Sequence, residues 1–179
     1  DSMVEGLSRR LGDYSAENGH TLYTVIWYSS STERWGTTHT LEYYMHKYKP
    51  TYVIICLGSN ELFVNDLENR AQYVREIVKK LGNTPFVWIS PSDWNGDTGI
   101  NDVIKENIGR EHFFDSRHLK LKRGSDHYHP TWAAAAYWMD TAAQFIASHQ
   151  CANPLQLNKP KAHHKATKTK LLQPSFEGY

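Results

Sequence analysis

The segment Asp126-His127-Tyr128-His129-Pro130-Thr131 sets a carboxylate three residues before an imidazole, in a stretch tied down by a proline. Histidine is suited to moving protons near neutral pH. A nearby carboxylate fixes the imidazole tautomer and stabilises the imidazolium when it forms. Such a pair can activate a serine hydroxyl, which is a poor nucleophile until a base takes its proton. Ser2 stands just before an amphipathic stretch. There a helix N-terminus offers backbone N–H groups and a favourable dipole to an oxyanion. Gly58-Ser59-Asn60-Glu61 follows an apolar run. Asn60 can donate a side-chain N–H to an oxyanion, and losing one such donor costs about 3–4 kcal/mol. Gly58 permits close backbone approach. Each segment also has a plainer reading. Ser2 can cap a helix, Gly58-Ser59-Asn60 can be a turn, and an Asp-x-x-His spacing recurs by chance.

Chemistry needs these segments to converge, so the elements between them matter. Met3, Val4, Leu7 and Leu11 predict a helix over 3–18, stopped by Asn18-Gly19. Residues 21–29 read as a strand rich in β-branched and aromatic side chains, and Ser30 to Thr38 as a loop. A helix over 39–48 ends before Pro50. Residues 51–57 form a continuous apolar run, which predicts a central strand buried on both faces. Helices follow at 66–81 and 100–108, with strands at 85–89 and 112–115. The last helix runs from Pro130 to about Ser148, with proline at its first turn, where a missing N–H costs nothing. Alternating strands and helices predict an α/β domain with a mostly parallel sheet and helices on both faces. Ligands of such sheets bind beyond the carboxyl ends of the strands. Asp1-Ser2 precede a helix with no strand ahead of them, and a first strand is expected upstream of residue 1.

The 179 residues predict one domain over 1–152 and a basic, irregular tail over 153–179. In the tail, Lys159, Lys161, Lys165, Lys168 and Lys170 face Glu177 alone, which is +4 and leaves the body at −3 of a total of +1. Without interleaved aromatics this is a solvated tail rather than a nucleic-acid interface. It is expected to pack over the body through Leu171, Leu172 and Phe176. No run of 18 apolar residues predicts a membrane span. Cys56, in an apolar run, reads as a buried thiol, and one pair with Cys151 is not a disulfide framework. No zinc-binding spacing occurs, and His163-His164 in the tail is a surface position. No metal or cofactor is expected. The N-terminus neither supports nor excludes secretion, and a secreted or periplasmic location is favoured.

Asp-Ser at the start of the first helix, Gly-Ser-Asn after a buried strand, and Asp-x-x-His-Pro before the last helix together resemble the SGNH (GDSL) hydrolase family. The resemblance spans residues 1–149 and matches three of that family's four blocks. It implies a three-layer α/β/α flavodoxin-like fold and metal-free hydrolysis of carboxylic esters. It implies Ser2 as nucleophile, His129 and Asp126 as its acid–base partners, and Asn60 as an oxyanion donor beside the Ser2 N–H. Glu61 stands where an Asp commonly follows the Asn. The second block should place a Gly N–H after the second strand. Counted from the strand, Thr32 falls there and Gly36 comes four residues later, and Thr32 is preferred. Trp35, Trp94 and Tyr128 sit in or beside these loops as candidate substrate contacts, whereas Trp27, Trp88, Trp132 and Trp138 read as core. The expected substrate is a small-molecule or carbohydrate ester with a small acyl group such as acetyl. Acyl transfer by the same triad, or a non-catalytic carbohydrate-binding module with Ser2 as a cap, are the alternatives.

Overall fold

The computed structural model describes residues 1–164 and 168–179. Leu7, Leu11 and Tyr14 recur at helical spacing and form the buried face of α1 (Val4–Glu17). β1 (Thr24–Trp27) follows. The chain then reverses through Ser29, at φ 60°, into a short helix, α2 (Thr32–Thr37). Ser30 to Thr38 is therefore not all loop. Gly36 explains why: a Cβ there would lie 2.9 Å from the Tyr73 carbonyl oxygen, so only glycine lets α2 lie this close to its neighbour. α3 (Thr40–Tyr48), β2 (Val53–Cys56), α4 (Leu67–Leu81), β3 (Phe86–Ile89), α5 (Ile100–Ile108), β4 (Phe113–Phe114) and α6 (Trp132–Ile146) complete the expected alternation.

The core lies on both faces of the strands. Val87 and Ile89 of β3 pack with residues of α1 and α6, while Phe86 and Trp88 pack with residues of α4 and α5. Successive strand residues point to opposite faces, which makes this a mixed α/β domain with helices on each side. Trp27, Trp88 and Trp138 are buried as expected of core residues. Trp132 is not: it is 55% exposed and lies under the Arg9 guanidinium, 4.1 Å from its ring centre. Cys56 and Cys151 are buried free thiols, and burial pushes the Cys56 thiol up to about 11. Among the described residues no helix is long and apolar enough to cross a membrane.

Among the described residues all strand pairings are parallel, but they form two sheets rather than one. β2-β3-β4 is one, and the other pairs β1 with β5 (Thr169–Leu172). β5 comes from the tail expected to be irregular. Leu172 is buried there, and Phe176 sets its ring edge-on to Trp27 at 5.3 Å. Leu171 is half exposed rather than packed. Upstream of β5, the Asp13 carboxylate accepts the His164 N–H and meets His163 Nδ1 at 3.0 Å. Lys165 lies outside the described residues. β2 is only half-buried over Val53, Ile54 and Ile55, because β3 lies on one edge and a cavity on the other.

Gly36→Ala tests the α2–α4 contact. Overpacking costs about 1–3 kcal/mol, and the better helix propensity of alanine returns about 1 kcal/mol. A net loss of about 1 kcal/mol is expected in denaturant unfolding. A variant as stable as the parent would show that the two helices separate freely.

Candidate active site

Ser2 Oγ lies 2.8 Å from His129 Nε2, and Asp126 Oδ2 lies 2.6 Å from His129 Nδ1. The chain separates Ser2 from His129 by 127 residues, so the fold alone brings them together. With the Nδ1 proton directed at Asp126, Nε2 is left to accept the Ser2 hydroxyl proton. Asp126 Oδ1 also accepts the Tyr128 and His129 backbone N–H groups. The bond from His129, then those two backbone bonds, hold the Asp126 carboxyl well below the usual carboxylate range. The pair is open to solvent, with the side chains of His129 and Asp126 exposed to 42% and 46%.

The loop that carries them is a braced hairpin. Thr131 N–H donates to the Lys122 carbonyl, and Gly124 N–H to the His129 carbonyl. His127 takes a left-handed conformation, φ 65°, which turns the chain between the two partners. Arg123 donates to the Tyr128 carbonyl and to Ser92 Oγ, which fastens the hairpin to the segment after β3. Thr131 Oγ1 accepts the Ala134 N–H and starts α6.

Ser2 does not cap α1: no side chain caps the helix at Met3, and the Ser2 hydroxyl meets His129 instead. Just ahead of the helix, Asp1 Oδ1 accepts the Met3 N–H. Asp1 Oδ2 accepts the Ser59 N–H, so one buried carboxylate joins the Ser2 segment to the Gly58–Glu61 loop. In that loop Asn60 Nδ2 donates to the Ser30 carbonyl at 2.9 Å. An amide nitrogen has two N–H bonds, so a second remains for a ligand.

The third oxyanion position differs from the expectation. The Thr32 N–H donates to Glu61 Oε1 at 2.7 Å, and Thr32 Oγ1 to Oε2 at 2.5 Å. Arg70 Nη1 donates to the same carboxylate. Thr32 therefore has no N–H to give an oxyanion, and Gly36 is enclosed in α2. The Ser31 and Ser2 N–H groups donate to no described residue. Ser31 follows the carbonyl that holds Asn60, which makes it the better candidate donor. Glu61 is almost fully buried, and burial raises its carboxyl above the usual range although Thr32 and Arg70 pull it back.

Trp35 also departs from its expected place. Its indole N–H donates to Ser30 Oγ, and its ring meets Trp27 edge-on at 5.4 Å. It is a packing residue rather than a platform for ligand. Trp94 and Tyr128 do come together, with ring centres 4.7 Å apart, and Phe63 joins them at 5.6 Å from Trp94. Trp94 Nε1 donates to the Ser59 carbonyl, which sets this wall beside the Asn60 loop. Phe63 and Arg123 have no part in the sequence reading, and Asp1 enters it only as the neighbour of Ser2. Phe63, an aromatic two residues beyond Glu61 in a loop, was the one with a visible signal. Among the described residues no three His, Cys, Asp or Glu side chains gather as a metal site.

Comparison with protein-family models, with curated proteins and with solved structures finds no match to this chain.

The Glu61 clamp yields a pH prediction. Its folded-state carboxyl is raised, so the stability it contributes is full below the ordinary carboxylate range and declines as pH rises through the folded value. Glu61→Gln does not titrate. The stability lost on substitution is therefore expected to be larger at about pH 4 than at pH 7. Urea unfolding at the two pH values checks this, and a penalty that grows with pH would contradict it.

Proposed function

We propose that this chain is a serine esterase of the SGNH type, with a three-layer flavodoxin-like fold completed around its parallel strands. One observation supports this above the rest: Ser2 Oγ, His129 and Asp126 stand in one unbroken hydrogen-bonded line. His129 takes the Ser2 proton as Ser2 Oγ attacks the ester carbonyl carbon. The carbonyl π electrons move to oxygen, which the Ser2 and Ser31 N–H groups and the free Asn60 N–H stabilise. When the intermediate collapses, the C–O bond to the alcohol breaks and His129 protonates the departing oxygen. Water, deprotonated by His129, then attacks the acyl-enzyme and releases the acid and Ser2.

Hydrolysis is favoured over acyl transfer because the imidazole is open to water, and transfer needs water kept out. The binding-module alternative rested on Ser2 as a helix cap, and its hydroxyl bonds His129 rather than the helix start. The short wall of Phe63, Trp94 and Tyr128 suits the face of a sugar ring, which supports a small acyl group such as acetyl on a carbohydrate.

Stoichiometric labelling of Ser2 by a fluorophosphonate, lost in Ser2→Ala, is the direct test. An unlabelled protein would overturn the assignment. Asp126→Asn is expected to lower kcat by about 10³–10⁴-fold, since it removes the group that holds the tautomer. Asp126 is held well below the usual carboxylate range. It stays ionised in mild acid, so the fall of kcat/KM on acidification is not expected to follow a carboxylate. A loss that tracks a carboxylate near pH 4 instead would assign the limb to another group.

A further inference from the structure

An open recess adjoins the aromatic wall, and Trp94 belongs to both. It is lined chiefly by residues of the segment 117–123, which reads Arg-His-Leu-Lys-Leu-Lys-Arg. Apolar and basic side chains alternate there, as in an extended chain with one buried face. Leu119 and Leu121 turn into the core, while Lys120 and Lys122 are exposed. Asp93 is the one carboxylate on the lining. The Arg117 charge is already met, by Asp102 at 2.8 Å and Asp115 at 2.9 Å. Among the described residues Lys120, Lys122 and Arg123 make no ion pair. Arg123 donates instead to the Tyr128 carbonyl and to Ser92 Oγ, both uncharged. A guanidinium has five N–H bonds, so three remain. Burial lowers the Arg123 guanidinium from its ordinary value, and Asp93 and Asp126 offset this only in part. A cation that loses water without gaining an anion in contact is costly, and an anion seated beside it relieves that cost.

We propose that this recess binds a negatively charged group, carboxylate or sulfate, on a sugar next to the one that carries the acyl ester, so that the substrate is an acidic glycan. This substrate class presupposes that Ser2 cleaves a carbohydrate ester. Lys122 and Arg123 stand on the same hairpin as Asp126 and His129. Thr131 N–H donates to the Lys122 carbonyl, Gly124 N–H to the His129 carbonyl, and Arg123 pairs with Pro130 in an antiparallel bridge. An anion held here is therefore placed relative to the imidazole by the backbone bonds that fix the hairpin. The Arg123 fork suits the paired oxygens of a carboxylate or sulfate, and Lys120 and Lys122 add point charges at the rim. Trp94 can meet the sugar face while the recess takes its charge. A neutral sugar gains nothing from these cations. A nucleic acid fits less well, because it needs a basic track that follows many phosphates, and residues 1–152 carry a net charge of −3.

Two measurements test this, one of them without turnover. Short glucuronic acid oligomers, their carboxyl-reduced counterparts and a sulfated form of the reduced oligomer are titrated into the whole chain by calorimetry. The uronate, the sulfated oligomer or both are expected to bind about tenfold tighter than the reduced one, with a preference that shrinks as salt is raised. Which of the two anions is preferred identifies the charged group. Lys120→Glu with Lys122→Glu, and separately Arg123→Gln, are each expected to remove most of that preference. In the second measurement, release of acetate from the acetylated form of the preferred oligomer is expected to exceed that from the acetylated reduced oligomer by about tenfold in kcat/KM, mainly through KM. The same variants are expected to level the two substrates. Equal affinity for charged and neutral oligomers would overturn the recess as an anion site, whether or not acetate is released. Charge-selective binding with no turnover of any ester would overturn the esterase reading and leave the anion site standing. Duplex DNA that displaces the charged oligomer at lower concentration would overturn the choice of a glycan.

Discussion

The buried carboxylate of Asp1 bonds two segments that lie far apart in the chain. One oxygen accepts the Met3 N–H and the other the Ser59 N–H. The first bond fixes the turn that leads into α1, in which the Ser2 hydroxyl is left to His129. The second holds the Gly58–Glu61 loop against that helix start, and Asn60 then reaches Ser30 after β1. The start of α1 and the ends of β1 and β2 are thereby linked through two side chains. A bond to a charged acceptor contributes about 1.5–3 kcal/mol, and leaving a buried donor unsatisfied costs a comparable amount. Loss of Asp1 therefore disturbs the proposed nucleophile and the proposed oxyanion donors together.

Two carboxylates near this edge show how environment divides their roles. Asp126 is exposed and accepts three hydrogen bonds, so its charged form is favoured. Glu61 also accepts three, from Thr32 twice and from Arg70, but it is almost fully buried and its charged form is disfavoured. Desolvation decides the second case and hydrogen bonding the first. Asp126 can thus stabilise an imidazolium in reach of water. Glu61 can brace the first turn of α2 to the Asn60 loop, which fixes where the Ser31 N–H points.

How far the sequence reveals such a site depends on the range of the interactions. Asp126 and His129 are three residues apart, and the proline after them is visible, so a local pattern exposes them. Ser2 and Asn60 are legible as residue types at the ends of elements. Thr32 was misplaced because its N–H is taken by Glu61, which lies 29 residues away and looked like a substitute for Asp. Trp35 was misplaced because its partner is Trp27 at the end of β1, a contact between α2 and the strand with no sequence period. The element alternation was readable because each helix and strand has its own apolar spacing. β5 was not: Thr169–Leu172 is short, and only pairing to β1 makes it a strand. The split of the sheet has the same origin, since strand order is set by long-range pairing and not by local propensity.

The cavity beside β2 and the active site meet at Asp1. Its nitrogen bonds Cys56 at the end of β2, and its carboxylate bonds Met3 and Ser59. Pre-organisation of a nucleophile requires its supporting groups to be fixed before the reaction. Here α1 is held from the other side by α6, through a core that includes Leu7, Leu11, Met139 and Ala143. The helix axis is therefore secured by packing, while the position of its first turn rests on three hydrogen bonds from one residue. Those bonds span the carboxyl end of the strand layer, so the rigidity of the Ser2 hydroxyl depends on how firmly they hold the start of α1 to the end of β2.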